Sequence, residues 1–351
     1  MKLSLVDLSP VPRDGTATDA FANTVETAQR AEALGFERVW VAEHHGRGAS
    51  LAGTTPEVLL GRLAGATDSI RLGSGAVLLN HYSPYKVAEV FATLDALAPG
   101  RIDAGLGRAN GSPAVDRALQ TSRRVQNPNE DHTEKIEAVV SHLSDQFPDD
   151  HPYSDIELPR SASGTPAPWV LGSSPSSGEI AGKLGLPYCF AGFIRPGFGE
   201  RACQTYRDSF EPSDSPIGVD SPTVMVALNA IAGDTDEEAA RYRAVAEASY
   251  QRMQRGDVGA RPTVKEAIDE LGSVPEPTPT TLDGGEFPRA ISGSPETLAG
   301  LFGQLTDRLG AEEVMLQQIA PDHETKLRSH ELIAEAVGVG DLTVRPGGVD
   351  D

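Results

Sequence analysis

Apolar residues are concentrated in eight short runs that are spaced along the whole chain. Each run is nearly continuous and rich in valine, leucine, isoleucine or alanine, a pattern typical of a strand that is buried on both faces. The predicted strands are residues 2–8, 37–43, 70–79, 101–107, 168–174, 187–191, 222–232 and 313–319.

Segments with helical spacing separate these strands. The first ends at Gly35, and the third begins at the pair Ser83-Pro84, which are common helix end and start signals. The predicted helices are residues 19–34, 56–68, 83–98, 130–147, 177–184, 199–210, 235–255, 264–271, 295–309 and 323–337.

This alternation predicts an α/β fold with parallel strands, and closing eight of them gives a (β/α)₈ TIM-type barrel. An open doubly wound sheet is the competing topology. Insertions are expected after the fourth strand (residues 110–165) and after the seventh (residues 256–289). We predict one domain over residues 1–337, followed by an acidic, glycine-rich and disordered tail at 338–351.

The charge balance makes some partners poor candidates. The formal net charge is −21, which disfavours nucleic acid and anionic membrane surfaces. Lysine is scarce beside arginine, and this with the acid excess suggests adaptation to high salt, where screening weakens self-repulsion. Cys189 and Cys203 form no metal or disulfide pattern. With no signal peptide or membrane span evident, a cytoplasmic protein is expected.

A barrel carries its chemistry on the loops after the strand ends. His44 and His45 follow the second strand, where alternation lets only one of them face the barrel mouth. A histidine there suits a general base. The alternatives are a histidine packed under a loop, and a metal site with His81, which lacks a clear fourth ligand.

Two other loops could bind phosphate. Gly172, Ser173 and Ser174 end the fifth strand before a helix, whose first N–H groups attract anions. Ser176 and Glu179 have capping-box spacing, so the segment could also be only a well-capped helix.

Arg108 follows the fourth strand in the segment GLGRANG, which lacks the spacing of a dinucleotide-binding loop. An arginine can grip a phosphate with two hydrogen bonds, although a surface ion pair is equally open.

Five of these stretches together resemble the bacterial luciferase-like, flavin-dependent monooxygenase family. Their order and spacing match over roughly the first 195 residues, and the remainder matches loosely. The stretches are residues 1–12, GFERVWVAEHH (35–45), RLGSGAVLLNHYSP (71–84), LAPGRIDAGLGRANG (97–111) and PWVLGSSPSSGEIAGKLGLP (168–187).

The resemblance implies reduced FMN bound at the C-terminal ends of the barrel strands. It makes His44 the catalytic residue. It also implies a bulge behind the flavin ring, where the family often has a cis non-prolyl peptide bond. The residues implied are Arg108, Ser173, Ser174 and Gly172 for the cofactor phosphate, Gly75 and Ala76 for the bulge, and Asp7, Ser9, His45 and Asn110 as candidates for the substrate pocket.

Two departures from luciferase itself narrow the expected activity. Ser173 replaces an acidic residue and Gly107 replaces a cysteine near the flavin, so neither light emission nor an aldehyde substrate is expected. The resemblance implies a homodimer and a mobile loop at residues 256–289, which could form a lid.

The expected function is a two-component monooxygenase that acts on a small organic molecule with O₂. A separate flavin reductase would supply reduced FMN, because the chain has no NAD fingerprint. The alternatives are a deazaflavin-dependent oxidoreductase that transfers hydride and a flavin-binding barrel without turnover.

Overall fold

The computed structural model describes residues 1–109, 112–119, 132–162, 164–213, 215–257, 259–282 and 287–339. Within these ranges ten strands form one sheet, and all the strand pairs are parallel. The strands are β1 (Lys2–Asp7), β2 (Arg38–Val41), β3 (Arg71–Ser74), β4 (Val77–Leu78), β5 (Ile102–Gly107), β6 (Ala167–Gly172), β7 (Tyr188–Ala191), β8 (Val224–Ala232), β9 (Ala290–Gly293) and β10 (Glu313–Gln317).

The sheet closes into a barrel, because β10 pairs with both β1 and β8. This confirms the predicted (β/α)₈ barrel and rules out the open doubly wound sheet. β3 and β4 together make the third barrel strand, since both pair with β5. β9, which the sequence pattern did not predict, extends the sheet beside the second half of β8.

Helices cover the outside of the barrel. They are α1 (Ala17–Ala33), α2 (Pro56–Ala64), α3 (Pro84–Leu97), α4 (Pro113–Leu119), α5 (His132–Ser144), α6 (Pro175–Lys183), α7 (Gly199–Asp208), α8 (Asp236–Gln254), α9 (Val264–Leu271), α10 (Pro295–Leu309) and α11 (His323–Val337). Ten of them were predicted; the short helix α4 was not, since it buries no residue and leaves no periodic pattern.

Side chains alternate between the inside and the outside of the barrel. On β1, Leu3 and Leu5 pack with helix residues in the main core, while Val6 points inward to Trp40 and Trp169. The two indole rings lie edge to face, with centroids 6.0 Å apart. The interior is therefore filled by side chains and leaves no open channel at this level.

Charged side chains lie inside the barrel near the N-terminal ends of the strands, where Arg38 begins β2 and Glu313 begins β10. Arg38 Nε and Nη2 donate to the two carboxylate oxygens of Glu313, at 2.9 and 3.0 Å, and its Nη1 donates to Asp103 at 2.8 Å. Asp103 also accepts two bonds from Arg71. Charges taken out of water are tolerated only when they are paired and hydrogen-bonded in this way.

Among the described residues, no helix is long and apolar enough to cross a bilayer, and no cluster of three metal-ligating side chains occurs. The candidate Asn110 lies outside the described residues. So does the predicted tail beyond residue 339, and Gly338 ends α11 in a left-handed conformation.

Candidate active site

The two adjacent histidines diverge at the end of β2, as strand alternation predicts. His44 lines a cavity at the C-terminal end of the barrel. His45 turns away, with its Nε2 2.6 Å from Glu43 Oε1. His45 is therefore not part of the cavity wall, although it was a candidate for the substrate pocket.

His44 is held in its neutral form. Burial lowers the pKa of its imidazole to about 4, and the positive charge of Arg47 acts in the same direction. Its Nδ1 is buried and finds no hydrogen-bond partner within the described ranges. Because the His44 side chain lines the cavity, its neutral imidazole can accept a proton from a bound molecule or donate one to it.

Glu43 fixes the loop beside His44. Its carboxylate accepts hydrogen bonds from the Tyr82 hydroxyl at 2.6 Å and from the Leu78 backbone N–H at 2.9 Å. Burial and this carboxylate raise the pKa of Tyr82 above its usual range, so the hydroxyl stays a donor. The contacts tie the end of β2 to β4.

The third barrel strand is interrupted between β3 and β4. The Gly75–Ala76 peptide bond is cis, where the family resemblance placed such a bond. A Cβ on Gly75 would lie 2.9 Å from Trp40 Cβ, and one on Gly107 would lie 2.8 Å from Ala76 Cβ. Side chains at these two glycines would therefore collide with neighbours, and the close backbone packing explains their presence.

The helix after β6 begins earlier than predicted. Pro175 occupies the first turn of α6, so Ser174 is the N-cap, and Ser174 and Ser177 form the capping box. The predicted Ser176–Glu179 box is wrong; Glu179 instead forms an ion pair with Lys183 at 2.7 Å. A proline at the first helical position sets the cap one residue before it.

The residues proposed for the cofactor phosphate lie at neighbouring strand ends. Leu106 of β5 pairs with Val170 of β6, so Arg108 follows β5 level with Gly172. A Cβ on Gly172 would lie 2.3 Å from the Ser177 side chain, which keeps this turn tight. Ser173 is half-buried, and Arg108 is exposed, with no hydrogen bond to any described residue.

The cavity that reaches His44, hereafter the His44 cavity, has a volume of about 1090 Å³. Asn229 of β8 and Gln317 of β10 line it from the barrel and are register partners. Residues of α8 and of the segment between α8 and β9 form much of the remaining wall. Arg108 and Ser174 are not among its lining residues, so the cavity covers a different part of the barrel end.

The structure does not bring Asp7 and Ser9 into this cavity. Asp7 accepts hydrogen bonds from Thr24 at 3.0 Å and from the Ser9 backbone at 2.6 Å, and it forms an ion pair with Lys326 of α11. Burial alone would raise the pKa of Asp7, but Lys326 and these donors hold it below the usual value. Asp7 faces the helices because it shares the outward positions of Leu3 and Leu5, and Leu8 lines the cavity in its place.

Several cavity residues were missed from the sequence. Asn229 had a signal, because it is polar within an otherwise apolar strand. Five arginines had none, since their segments converge on the cavity only through the fold: Arg47, Arg243, Arg252, Arg261 and Arg289.

Comparison with known proteins places the chain in a family. A model of the luciferase-like monooxygenase family matches residues 1–312. The chain belongs to this family of oxidoreductases.

Three similar proteins cover nearly the whole chain. The N-acetyl-S-alkylcysteine monooxygenase of Bacillus subtilis strain 168 is 35% identical over 96% of this chain and 98% of its own. A luciferase-like monooxygenase of Escherichia coli K12 is 33% identical over 94% and 95%. The crystal structure of apo-MsnO8 superposes with a TM-score of 0.85, at 38% identity over 96% and 98%.

Two more distant structures share the fold. The oxygenating constituent of 3,6-diketocamphane monooxygenase from a Pseudomonas putida plasmid, in complex with FMN, has a TM-score of 0.68 at 18% identity over 96% of this chain and 97% of its own. An F420-dependent secondary alcohol dehydrogenase has a TM-score of 0.64 at 15% identity over 97% and 98%.

Proposed function

We propose that this chain is the oxygenase component of a two-component flavin monooxygenase, which uses reduced FMN and O₂ to oxidise a small organic molecule. The observation that carries the proposal is the neutral His44, whose side chain lines a large cavity at the C-terminal end of a family barrel. An active site in a barrel of this type is expected at that end.

The residues present fit the phosphate of FMN. The exposed guanidinium of Arg108 lies level with the start of α6, a helix of nine residues whose N-terminal end carries Ser173 and Ser174. A guanidinium, serine hydroxyls and the free N–H groups of a helix start are all donors that an anionic phosphate prefers. Gly75 and Ala76 would lie next to the flavin ring.

When bound, reduced FMN would supply the electrons that let one oxygen atom of O₂ enter the substrate while the other leaves as water. The protein's contribution is to orient the reactants and handle the proton. The imidazole of His44 can hold or release a proton, and the wall formed by α8 and the adjoining segment can keep water from the reaction.

The proposal includes partners. A separate flavin reductase would deliver reduced FMN, because no dinucleotide-binding loop was found in the sequence. We also propose a homodimer, on the basis of the family resemblance. The net charge of −21 argues against nucleic acid as a partner.

The direct test is reconstitution. Purified protein is titrated with reduced FMN under anaerobic conditions, and O₂ uptake is then followed with a flavin reductase, NADH and a panel of small thioethers and ketones. N-acetyl-S-methylcysteine belongs in the panel, because a similar protein is an N-acetyl-S-alkylcysteine monooxygenase. Saturable FMN binding and an oxygenated product support the proposal; a chain that binds no reduced FMN refutes it.

A deazaflavin coenzyme is the second candidate, supported by the shared fold of an F420-dependent dehydrogenase. It also carries a phosphate, so the residues around Arg108 and Ser174 do not separate the two. Titrating both coenzymes into the same preparation, followed by an assay of secondary alcohols without O₂, distinguishes hydride transfer from oxygenation. A flavin-binding barrel without turnover is disfavoured by the presence of His44.

We expect Arg108→Gln to weaken FMN binding by about 10- to 100-fold, because a hydrogen bond to a charged group contributes about 1.5–3 kcal/mol. Riboflavin, which lacks the phosphate, should bind the variant and the parent protein equally. The matched control is Arg201→Gln on the exposed surface of α7, which should bind FMN as the parent does. Fluorescence titration measures all three; equal FMN affinity of Arg108→Gln and the parent would remove Arg108 from the cofactor site.

A further inference from the structure

The wall of the His44 cavity is unusually rich in arginine for a protein with a net charge of −21. Three carboxylate side chains also line it, from Glu247, Asp257 and Glu276. The five arginines are Arg47, Arg243, Arg252, Arg261 and Arg289. A cationic wall inside an acidic protein concentrates anions where the surrounding surface repels them.

Three of the five arginines each make two or more hydrogen bonds through the guanidinium group. Arg252 Nε donates to Glu270 at 3.0 Å, and Arg243 Nε donates to Glu247 at 2.8 Å. Arg289 donates to two backbone carbonyls, at 2.6 and 2.8 Å, and its guanidinium lies 4.5 Å from the centre of the Tyr250 ring. These contacts hold the wall together.

The other two, Arg47 and Arg261, have no carboxylate within ion-pair distance in the part of the chain that the structure describes. Arg261 donates one hydrogen bond, to the Ala320 carbonyl at 2.7 Å, and the guanidinium of Arg47 makes no hydrogen bond to a described residue. Burial lowers the pKa of Arg261 to about 10, which still leaves it charged at neutral pH. The negative charge of Asp7, which is already paired with Lys326, opposes this shift. A buried guanidinium with one hydrogen bond is costly, and a bound anion would relieve that cost.

Arg47 and Arg261 line the His44 cavity, whereas Arg108 and Ser174 of the proposed phosphate site do not. Arg47 follows β2, and Ala320, the contact of Arg261, follows β10. In the barrel order β10-β1-β2-β3-β5-β6, Arg108 and Ser174 follow β5 and β6, on another part of the rim. An anion at Arg47 and Arg261 would therefore be distinct from the cofactor phosphate and would lie in the cavity that His44 lines.

We propose that the substrate carries a carboxylate group, which Arg47 and Arg261 bind, while its apolar part packs against Leu51, Phe193 and Ile194 in the same cavity. This assignment names the substrate class of the proposed enzyme. It therefore rests on the proposed function, because the bound acid is a substrate only if the chain is that enzyme. A planar carboxylate matches the paired N–H donors of a guanidinium, and the apolar wall gives the rest of a small organic acid a place to bind.

The test compares acids with their neutral amides. The full chain, with and without FMN, is titrated calorimetrically with 4-phenylbutyrate and 4-phenylbutanamide, and with N-acetyl-S-benzylcysteine and its primary amide. We expect at least one acid to bind about 10-fold or more tightly than its amide, and added KCl to weaken the acid alone. If neither acid binds better than its amide, or if no probe binds, the carboxylate site is refuted.

Variants locate the site. Arg47→Gln and Arg261→Gln should each weaken binding of the acid by about 10-fold or more and leave the amide unchanged. Arg261→Lys keeps the charge and tests the same position if Arg261→Gln does not fold. Arg241→Gln, at an exposed position of α8, is the matched control and should bind the acid as the parent does. Acid binding that survives both glutamine variants places the anion elsewhere and overturns the assignment.

The two proposals can fail separately, because FMN affinity is measured on the same samples. Acid binding without FMN binding would retain the anion site and refute the flavin enzyme. FMN binding with no preference for acids would retain the flavin enzyme and refute the anion site.

Discussion

Replacing His44 by asparagine should lower kcat/KM by about 10²- to 10⁴-fold, the usual contribution of a positioned proton-transfer group. FMN affinity should stay unchanged, because Arg108 and Ser174, which follow β5 and β6, do not line the cavity that His44 lines. The measurement is steady-state O₂ uptake with a saturating flavin reductase, on whichever substrate the panel identifies. Asparagine keeps a polar side chain of similar size, so the fold should be retained.

The neighbouring histidine provides the control. His45→Asn should change kcat/KM by less than about tenfold, since His45 contacts Glu43 and does not line the cavity. Equal losses in the two variants would show that the loop after β2 matters only as a whole, and would contradict a specific role for His44.

The low pKa of His44 also fixes the expected pH dependence. With a pKa of about 4 in the folded protein, His44 stays neutral from pH 8 down to about pH 5, so its contribution to activity should be constant there and fall below. Histidine in the unfolded chain has a higher pKa, near 6.5, so the unfolded state binds the proton first. The free energy of unfolding therefore decreases as the pH falls below about 6.5, and it continues to decrease until about pH 4.

Replacing Arg38 by methionine should lower the free energy of unfolding by about 3–5 kcal/mol, the typical cost of breaking a buried ion pair by removing one partner. Arg38 supplies both guanidinium contacts of Glu313, and Glu313 is almost fully buried. Without Arg38, its carboxylate would keep only the Ser4 hydroxyl. Urea titration at fixed KCl measures the change.

The pH dependence of the Arg38 variant distinguishes a lost ion pair from lost packing. Burial already raises the pKa of Glu313 above its usual value, and removal of Arg38 should raise it further. A carboxyl whose pKa is higher in the folded state stabilises the fold at low pH and loses that contribution as pH rises. The deficit of Arg38→Met should therefore be smaller at pH 5 than at pH 8; a deficit independent of pH would indicate packing. The control is Lys86→Met, which removes an exposed ion pair with Glu89. It should leave the unfolding midpoint nearly unchanged.

Much of the candidate site could be located from the sequence. The positions of His44, Arg108 and Ser174 follow from one rule, that the C-terminal ends of parallel strands meet at one end of a barrel. Strand alternation also predicted that His44 and His45 would diverge. It could not say which of the two faces inward, because that depends on the register of β2 in the closed sheet.

The sequence by itself determined the order of strands and helices. Apolar runs, prolines at helix starts and glycines at helix ends are local signals, because their effect on the backbone depends only on neighbouring residues. The tertiary structure alone decided which distant side chains share a space. Arg47 and Arg261 both line the His44 cavity, and Arg38 pairs with Glu313, although the members of each pair are far apart along the chain. No local pattern encodes contacts between such distant residues, because they depend on barrel closure and on which face of each strand points inward. The same orientation of β1 places Asp7 against the helices.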